Sequence, residues 1–445
     1  GIRSDSDMHT LGYVFKPWTQ AKAIADGSSI RHYVNETADE YDLRENIRFR
    51  AKVVRADWSS AQARWTVTID RNGEMETVRC GFLFMNAGYY DYDQGYRPDF
   101  PGEDTYRGRI VHPQHWPEDL DYSDKRVVII GSGATAVTLV PEMAKRARHV
   151  TMLQRSPTWV VSRPAEDALA NFLRRYLGET RAYRFTRWKN VWMQDIFFKR
   201  ARKKPAKVGK TLLKKARQAL GPHYDVDTHL TPNYGPWEQR LCLIPDDDLF
   251  DALKDGSADI VTDHIERFDD TGIRLKSGDH LQADIIVTAT GLNLQMLGGM
   301  TMTIDGEDVG LAETYAYKGV MFAGVPNLAS TFGYSNASWT LKADITAQYV
   351  CRLLNLMRQR GQDIAVPKPP QGDYRDAPIW NLTSGYFKRA ADRLPKGTDK
   401  APWNQPHEYV ADRKDLLFGE IDDGTMAFDR ISADARAEPL PLAAE

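Results

Sequence analysis

The spacing of apolar and polar residues in the first ninety positions predicts one helix followed by strands. Residues 29–41 carry an apolar face with the period of a helix. Three strand-like runs follow, IRFRAKVVRADW, ARWTVTI and TVRCGFLFMNAG. Arg71-Asn72-Gly73 supplies turn chemistry between the second and the third run, which predicts a hairpin there.

A different pattern begins at Arg126 and predicts a parallel sheet. The apolar run RVVII leads into a glycine turn, a helical run and a second apolar run, HVTMLQ. This order of strand, helix and strand is that of a βαβ unit and indicates an α/β protein.

The remaining patterns indicate where helices, strands and connections lie. Residues 163–222 are helical and basic, and a long amphipathic helix is expected from Ser338 to about Arg360. Strand patterns return at ADIV, GIRL and ADIIVTATG. Residues 91–118 are rich in Asp, Gly and Pro and predict an irregular connection, whereas the tail 430–445 predicts disorder.

Composition narrows the class of protein. A length of 445 residues gives room for two or three domains, and a formal charge of −2 gives no general attraction for nucleic acid or membranes. The three cysteines, Cys80, Cys242 and Cys351, form no CxxC pair. Their spacing argues against a disulfide framework, a thiolate metal site and a disulfide reductase, and predicts a cytoplasmic setting. No apolar run approaches the roughly 20 residues of a membrane span.

The turn after RVVII has the composition of a dinucleotide-binding loop. It fits G-x-G-x-x-G/A with Gly131, Ser132, Gly133, Ala134, Thr135 and Ala136. In such a loop the first glycine allows the turn, the second admits a pyrophosphate, and the small third residue allows close packing of the helix. The alternative is an ordinary connection between a strand and a helix.

The end of the second strand indicates which nucleotide is bound. An NAD site carries an acid there, which binds the ribose 2′-hydroxyl, but this sequence has Gln154, Arg155 and Ser156. A guanidinium at this point suits a 2′-phosphate, so NADPH is expected. The alternative for Arg155 is a solvated surface charge.

The stretch YRGRIVHPQHWP, at 106–117, is the second chemical signal. From its residues alone an aromatic linker between domains is the simpler interpretation. The stretch resembles the fingerprint F-x-G-x-x-x-H-x-x-x-W-P of Baeyer–Villiger monooxygenases, a group related to the flavin-containing monooxygenases. The matching residues are Gly108, His112, Trp116 and Pro117, with Tyr106 in place of the usual Phe. Further stretches, among them HPQHWPEDLDY and NASWTLKAD, are most similar to the family's ethionamide-activating members.

The opening residues extend the resemblance. Gly1-Ile2-Arg3-Ser4-Asp5 resembles the end of the family's signature P-G-x-x-x-D, which normally follows a βαβ unit with its own GxGxxG for FAD. The resemblance therefore implies two Rossmann-like dinucleotide-binding domains, the first without its initial βαβ unit. On that basis we expect an N-terminally truncated chain: the intact protein would be an NADPH-dependent flavoprotein monooxygenase, and this chain alone would be inactive.

The resemblance also implies domain boundaries. The first part of the FAD-binding domain would be 1–119, and its second part 289–429. The NADPH-binding domain would be 120–288, with a helical insert at about 163–222.

Roles for individual residues come from the same resemblance. FAD and NADPH would be the cofactors, and a C4a-peroxyflavin would transfer one oxygen atom from O2 to a ketone, or to sulfur or nitrogen as in sulfides and thioamides. Arg240 would be catalytic, with Asp5 orienting it, although Asp5 could instead cap a helix. His112 would couple the domains, and Asn336 and Trp339 would lie near the FAD. Gln239 stands where the family often has a lysine.

Other interpretations stay open at this point. One is a flavin-containing monooxygenase that oxidises only heteroatoms, and another is an inactive NADP(H)-binding remnant. The basic segment 199–217 is either a solvated helical face or a site of weak membrane-surface association. Nucleic acid is not expected as a partner, because no reader motif accompanies these charges.

Overall fold

The structure is a computed structural model that describes residues 3–380 and 382–432. Most of the predicted disordered tail therefore lies outside the described residues, as do Gly1 and Ile2 of the predicted signature.

The secondary structure of the described residues contains both helices and short strands. In chain order the helices are α1 (Met8–Leu11), α2 (Gly27–Glu40), α3 (Ala134–Ala144), α4 (Ala168–Leu177), α5 (Glu179–Lys203), α6 (Pro205–Leu220), α7 (Val226–His229), α8 (Asp248–Lys254), α9 (Trp339–Arg360), α10 (Gly385–Ala390) and α11 (Tyr409–Phe418). The strands of the first half are β1 (Lys52–Ser59), β2 (Arg64–Arg71), β3 (Glu74–Cys80), β4 (Leu83–Met85), β5 (Arg109–Val111), β6 (Arg126–Ile130), β7 (His149–Gln154) and β8 (Val160–Arg163). Those of the second half are β9 (Cys242–Pro245), β10 (Ala258–Thr262), β11 (Ile265–Asp269), β12 (Gly272–Leu275), β13 (His280–Gln282), β14 (Ile285–Thr288), β15 (Thr301–Ile304), β16 (Glu307–Asp308), β17 (Ala316–Tyr317), β18 (Met321–Phe322), β19 (Leu328–Ser330), β20 (Ile364–Pro367), β21 (Asp376–Pro378), β22 (Lys396–Thr398) and β23 (Met426–Asp429).

The chain divides into two compact units. The first contains the described residues up to Thr37, together with Tyr92–Asn293 and Leu382–Tyr386. The second contains Ala38–Asp91 and the described residues of Leu294–Asn381 and from Phe387 onward.

The first unit is built on a parallel sheet with the strand order β10-β7-β6-β14-β5. The predicted βαβ unit is confirmed, because β6 and β7 pair in parallel with Val127 opposite Val150 and are connected by α3. Ile129, Val137 and Val287 belong to one buried core on this sheet. Buried runs of Val and Ile are what a parallel sheet covered by helices requires.

Strand β5 corrects the expectation of an irregular connection at 91–118. Residues 109–111 pair in parallel with β14, with Ile110 opposite Ile286. The pattern missed this strand because it has only three residues, with Gly108 before it and His112-Pro113 after it. Its pairing also places 92–119 in the first unit, so the predicted segment 1–119 is divided between the two units.

The second unit contains two further sheets. One has the order β16-β15-β1-β2-β3, and the expected hairpin is present in it, with Arg71 opposite Glu74. The other has the order β17-β18-β19-β4, in which β4 and β19 run parallel. The long helix α9 buries Ile345, Tyr349 and Leu353 in the core of this unit. The expected helix at Ser338–Arg360 is therefore confirmed.

Candidate nucleotide site and active site

The turn between β6 and α3 can only be made by a glycine. Gly131 has φ 132° and donates its N–H to the carbonyl of Leu153 at 2.8 Å. A Cβ at this position would lie 2.3 Å from the carbonyl oxygen of Ala289. Gly131 is therefore required for the turn itself, whether or not a ligand is bound.

Gly133 differs, because nothing in the protein fills the space beside it. Its φ is −78°, which any residue adopts, and a Cβ there would meet no atom within 4 Å. It caps α3 without a side-chain hydrogen bond, and Ala134 and Thr135 in the first turn are exposed. Ala136 beyond them is fully buried. An open helix N-terminus with room for a close approach fits the pyrophosphate of a dinucleotide.

At the end of β7, the three residues that stand where an NAD site has its acid differ in their exposure to solvent. Gln154 is buried, and its Nε2 donates to the carbonyl of His229 and to Oγ1 of Thr262, each at 2.8 Å. Arg155 and Ser156 are exposed, and the carbonyl of Ser156 accepts from the hydroxyl of Ser132 at 3.0 Å. Arg155 thus places a cation at the strand end next to the glycine turn.

The structure brings Asp5 and Arg240 together. A carboxylate oxygen of Asp5 lies 2.8 Å from a guanidinium nitrogen of Arg240, and both side chains keep access to solvent. Asp5 does not cap a helix, because the cap of α1 is Asp7, which accepts from the N–H of Thr10 at 3.1 Å. The carboxylate of Asp5 is therefore available to the arginine.

The ion pair lies near the glycine turn. Strand β9 begins two residues after Arg240, and Sγ of Cys242 on it is 3.9 Å from the carbonyl oxygen of Ser132. Burial raises the pKa of the Cys242 thiol to about 11, so this thiol stays protonated and uncharged. Cys242 therefore packs between Arg240 and the glycine turn as an uncharged side chain.

The fingerprint residues pack around β5 and β14. A Cβ at Gly108 would lie 2.7 Å from the carbonyl oxygen of Asp284, and the hydroxyl of Tyr106 donates to the carbonyl of Ala283 at 3.0 Å. Trp116 packs against the core of the parallel sheet, and the carbonyl of Pro117 accepts from the N–H of Leu120. These residues have a structural role that the sequence alone does not separate from a catalytic one.

His112 lies beside residues 289–291, here called the crossover, which follow directly after β14. Burial, and then the neighbouring His115, lower the pKa of His112, which favours a neutral ring. Its Nδ1 accepts from the N–H of Gln114 at 3.2 Å, and a Cβ on Gly95 would clash with the ring. The residue after Gly95, Tyr96, is bonded to the crossover, since its N–H donates to Gly291 and its carbonyl accepts from Thr290.

Asn336 and Trp339 belong to the second unit. Trp339 begins α9 and lies with its ring centroid 4.8 Å from that of Tyr89. Nδ2 of Asn336 donates to the carbonyl of His407, while its buried Oδ1 has no hydrogen-bond partner among the described residues. A ligand with an N–H donor would satisfy this oxygen.

Comparison with known proteins identifies the family. Residues 21–186 match the family described as FMO-like, Flavin-binding monooxygenase-like. The chain is 52% identical to the FAD-containing monooxygenase EthA of Mycobacterium tuberculosis (strain ATCC 25618 / H37Rv). The alignment of 429 residues covers 96% of this chain and 88% of that relative. It is 49% identical to the probable FAD-binding monooxygenase AlmA of Acinetobacter baylyi, over 97% of this chain and 87% of that protein. The chain belongs to the flavin-binding monooxygenase-like family.

Solved structures show the same fold at lower identity. An oxidized steroid monooxygenase bound to NADP superposes with a TM-score of 0.75 at 20% identity, covering 97% of this chain and 91% of that one. A cyclohexanone monooxygenase bound to ε-caprolactone gives 0.73 at 17% identity, covering 96% and 90%. The resemblance, the Rossmann-like fold class and a flavoprotein monooxygenase as the class of enzyme are confirmed. FAD and NADPH are confirmed as the expected cofactors, since the relative is named an FAD-containing monooxygenase and a protein of the same fold is bound to NADP.

One buried network of this flavin-binding monooxygenase-like chain had no signal in the sequence. Nζ of Lys342 on α9 lies 2.8 Å from the carboxylate of Asp412, which also accepts from the hydroxyl of Tyr334 at 2.8 Å. Lys342 and Asp412 are 70 residues apart, and no spacing rule connects them.

None of the helices within the described residues combines the length and apolar content that crossing a membrane requires.

Proposed function

We propose that this protein is an FAD- and NADPH-dependent monooxygenase that places one oxygen atom from O2 on a ketone, or on the sulfur or nitrogen of substrates such as sulfides and thioamides. The observation that carries the proposal is the Asp5–Arg240 ion pair close to the glycine turn. The ion pair holds the guanidinium of Arg240 beside the candidate nucleotide site, and this guanidinium stays accessible to solvent.

NADPH would be held by the helix N-terminus after Gly133 and by Arg155. The exposed first turn of α3 would face the pyrophosphate, and Arg155 with Ser156 would bind the 2′-phosphate. FAD would meet Asn336, whose unpartnered Oδ1 accepts a hydrogen bond, and Trp339 beside it. When bound, the pair of cofactors supplies hydride transfer and the activation of O2.

Arg240 would stabilise negative charge on oxygen during transfer to the substrate. Addition to a ketone carbonyl creates an oxyanion, and a guanidinium held in place stabilises that charge without reorganising. Asp5 would hold the guanidinium in one orientation and partly neutralise it. His112, whose pKa is lowered by burial and then by His115, lies beside the crossover and would couple the domains without transferring protons.

Substitution of Arg240 tests the catalytic role. In the enzyme supplied with FAD and NADPH, Arg240→Ala should abolish ester formation from a ketone while NADPH oxidation persists. Arg148→Ala, at an exposed arginine of the same unit, is the matched control and should leave both unchanged. Ester formation by Arg240→Ala at the wild-type rate, measured by gas chromatography, would remove Arg240 from the mechanism.

Oxidation of heteroatoms alone is the second candidate. The fingerprint around His112 and Trp116 favours the Baeyer–Villiger reaction over it. A product analysis with one ketone and one sulfide separates the two, since a heteroatom oxidase forms the sulfoxide and no ester.

Substitution of Arg155 tests the choice of cofactor. Arg155→Ala should raise the KM for NADPH roughly 10- to 150-fold, since a charge-assisted hydrogen bond contributes about 1.5–3 kcal/mol. The KM for NADH should stay unchanged, because NADH lacks the phosphate. Equal losses with both nucleotides would show that Arg155 does not bind the 2′-phosphate.

For the basic segment 199–217 we propose weak association with a membrane surface. Its side chains Arg202, Lys203, Lys207 and Lys210 are exposed at the end of α5 and along α6. This attraction is electrostatic and needs no apolar contact.

A further inference from the structure

Helices α4 and α5, which pack against each other, both expose large apolar side chains. Each of these is between 46% and 71% exposed: Phe172, Tyr176, Phe185, Trp188, Trp192 and Met193. On α5 the spacing 185, 188, 192 places them on one face of the helix, and on α4 the spacing 172, 176 does the same. Soluble proteins seldom leave such a group of aromatic rings in water without a binding role.

The exposed face of α5 belongs to a well-anchored helix. Tyr183 and Arg187 on the opposite face of α5 are buried, and the hydroxyl of Tyr183 donates to the carbonyl of Tyr13 at 2.8 Å. The guanidinium of Arg187 donates to the carbonyls of His9 and Gly12. The apolar face of α5 is therefore exposed because the opposite face is held in the protein by packing and hydrogen bonds. The exposure is not the result of a frayed helix.

Charge around this face is concentrated and positive. Residues 168–220 contain sixteen Lys and Arg against two acidic residues, a difference of +14, in a chain whose formal charge is −2. On α6, Lys207, Lys210 and Lys214 are all exposed at the spacing of one helical face. A partner for this surface must accept aromatic rings and carry negative charge.

We propose that the aromatic face of α4 and α5 docks on an anionic lipid bilayer, with its rings at the headgroup level and the lysines of α6 over the lipid phosphates. Trp and Tyr favour the membrane interface, and amphipathic helices with basic flanks lie in that plane. A symmetric second copy would bring two surfaces of +14 together, which disfavours it. Nucleic acid would match the charge but would leave Met193 and Phe172 against phosphates and sugars.

Binding to vesicles tests the docking face. The full chain is mixed with phosphatidylcholine vesicles, with or without roughly 30% phosphatidylglycerol, and bound protein is measured by flotation. The chain should float only with the anionic vesicles. Trp188→Ser/Trp192→Ser should lower the partition coefficient at least ~10-fold, because the apolar contact is lost. Phe49→Ser, at an aromatic residue that is 65% exposed in the second unit, is the matched control and should float as wild type does.

A second pair of variants separates aromatic contact from charge alone. Phe172→Ser/Tyr176→Ser on α4 should weaken flotation as the α5 pair does. An unchanged circular dichroism spectrum shows that each variant is folded. Because two independent pairs are tested, a folding defect in one pair leaves the other to test the proposal. Equal flotation with neutral vesicles, or wild-type flotation by both aromatic pairs, would overturn the proposal. A third variant, Lys207→Glu/Lys210→Glu/Lys214→Glu, reverses the charge of these lysines. If this variant alone lost flotation while both aromatic pairs floated as wild type does, the proposal would fail and only the electrostatic association of 199–217 would remain. Concentration-dependent dimerisation that both aromatic pairs abolish, without flotation, would assign the face to a second copy.

Discussion

Asp5 and Asp7 stand two residues apart and have separate tasks in the structure. Asp7 caps α1 and also accepts from the side-chain amides of Asn190 and Gln194, at 2.8 and 3.0 Å. Asp5 pairs with Arg240 at the surface, where an ion pair contributes about 0–1 kcal/mol.

The two aspartates should therefore respond differently to the same substitution. Asp7→Ala should lower the free energy of unfolding by about 1 kcal/mol or more, since a helix cap is lost. Asp5→Ala should change stability little but lower kcat for oxygenation, with Asp5→Asn intermediate because it keeps one hydrogen-bonding oxygen. Urea unfolding and steady-state rates check both effects. Equal kcat losses in Asp5→Ala and Asp7→Ala would mean that the Asp5 carboxylate has no orienting role.

For single residues, the sequence predicts a chemical role more readily than it predicts which residues lie in contact. Gly131 and Gly133 were predictable because both belong to one short local motif, in which Gly131 makes the turn and Gly133 leaves space beside the helix N-terminus. The pairing of Asp5 with Arg240 came only from the resemblance to a family, since 235 residues separate them in the chain. The SDSD run in fact favoured a helix cap for Asp5, and the structure assigns the cap to Asp7.

Asp269 gives the first unit a defined response to acid. Burial by itself would raise the pKa of Asp269, but hydrogen bonds from Thr271 and from His280 outweigh it and lower the pKa to about 2. A lowered pKa means that this contribution to stability is present above the ordinary value of 3.8 and is lost as pH falls towards 2. Asp269→Asn should flatten the fall of Tm in that window. An unchanged dependence of Tm on pH in this variant would show that Asp269 does not cause the loss of stability in acid.

The glycine turn shows how one element separates folding from binding. Gly131→Ala should lower the free energy of unfolding by about 1–3 kcal/mol, because φ 132° and the carbonyl of Ala289 exclude a Cβ. Gly133→Val should leave Tm near wild type, since the protein leaves that space open, and should abolish NADPH binding. Calorimetry of each variant with and without NADPH measures both. Full NADPH binding by Gly133→Val would place the pyrophosphate elsewhere.

Among the elements, length decided what could be predicted. The strands β6 and β7 and the helix α9 are long enough for their period to be recognised. Strand β5 is three residues long, and only its partner β14, far along the chain, makes it a strand. The apolar face of α4 and α5 also escaped prediction, because a helical period does not tell an inward face from an outward one.

For the whole molecule, the sequence predicted the class of fold and of enzyme but not the limits of the compact units. The segment 1–119 divides between them because β5 joins the sheet of the first unit and β1 the sheet of the second. The assignment of 120–288 to NADPH and of the flanking segments to FAD stays a prediction, which nucleotide-specific footprinting by hydrogen exchange would test.

The central claim is that the protein uses NADPH to place one atom of O2 on an organic substrate. The most direct measurement is a turnover with ¹⁸O2, FAD, NADPH and a ketone or sulfide, followed by mass spectrometry of the product. We predict one ¹⁸O atom per molecule of product and no product with Arg240→Ala when the substrate is a ketone. NADPH binding without any labelled product would contradict the claim and would indicate a nucleotide-binding remnant of the family.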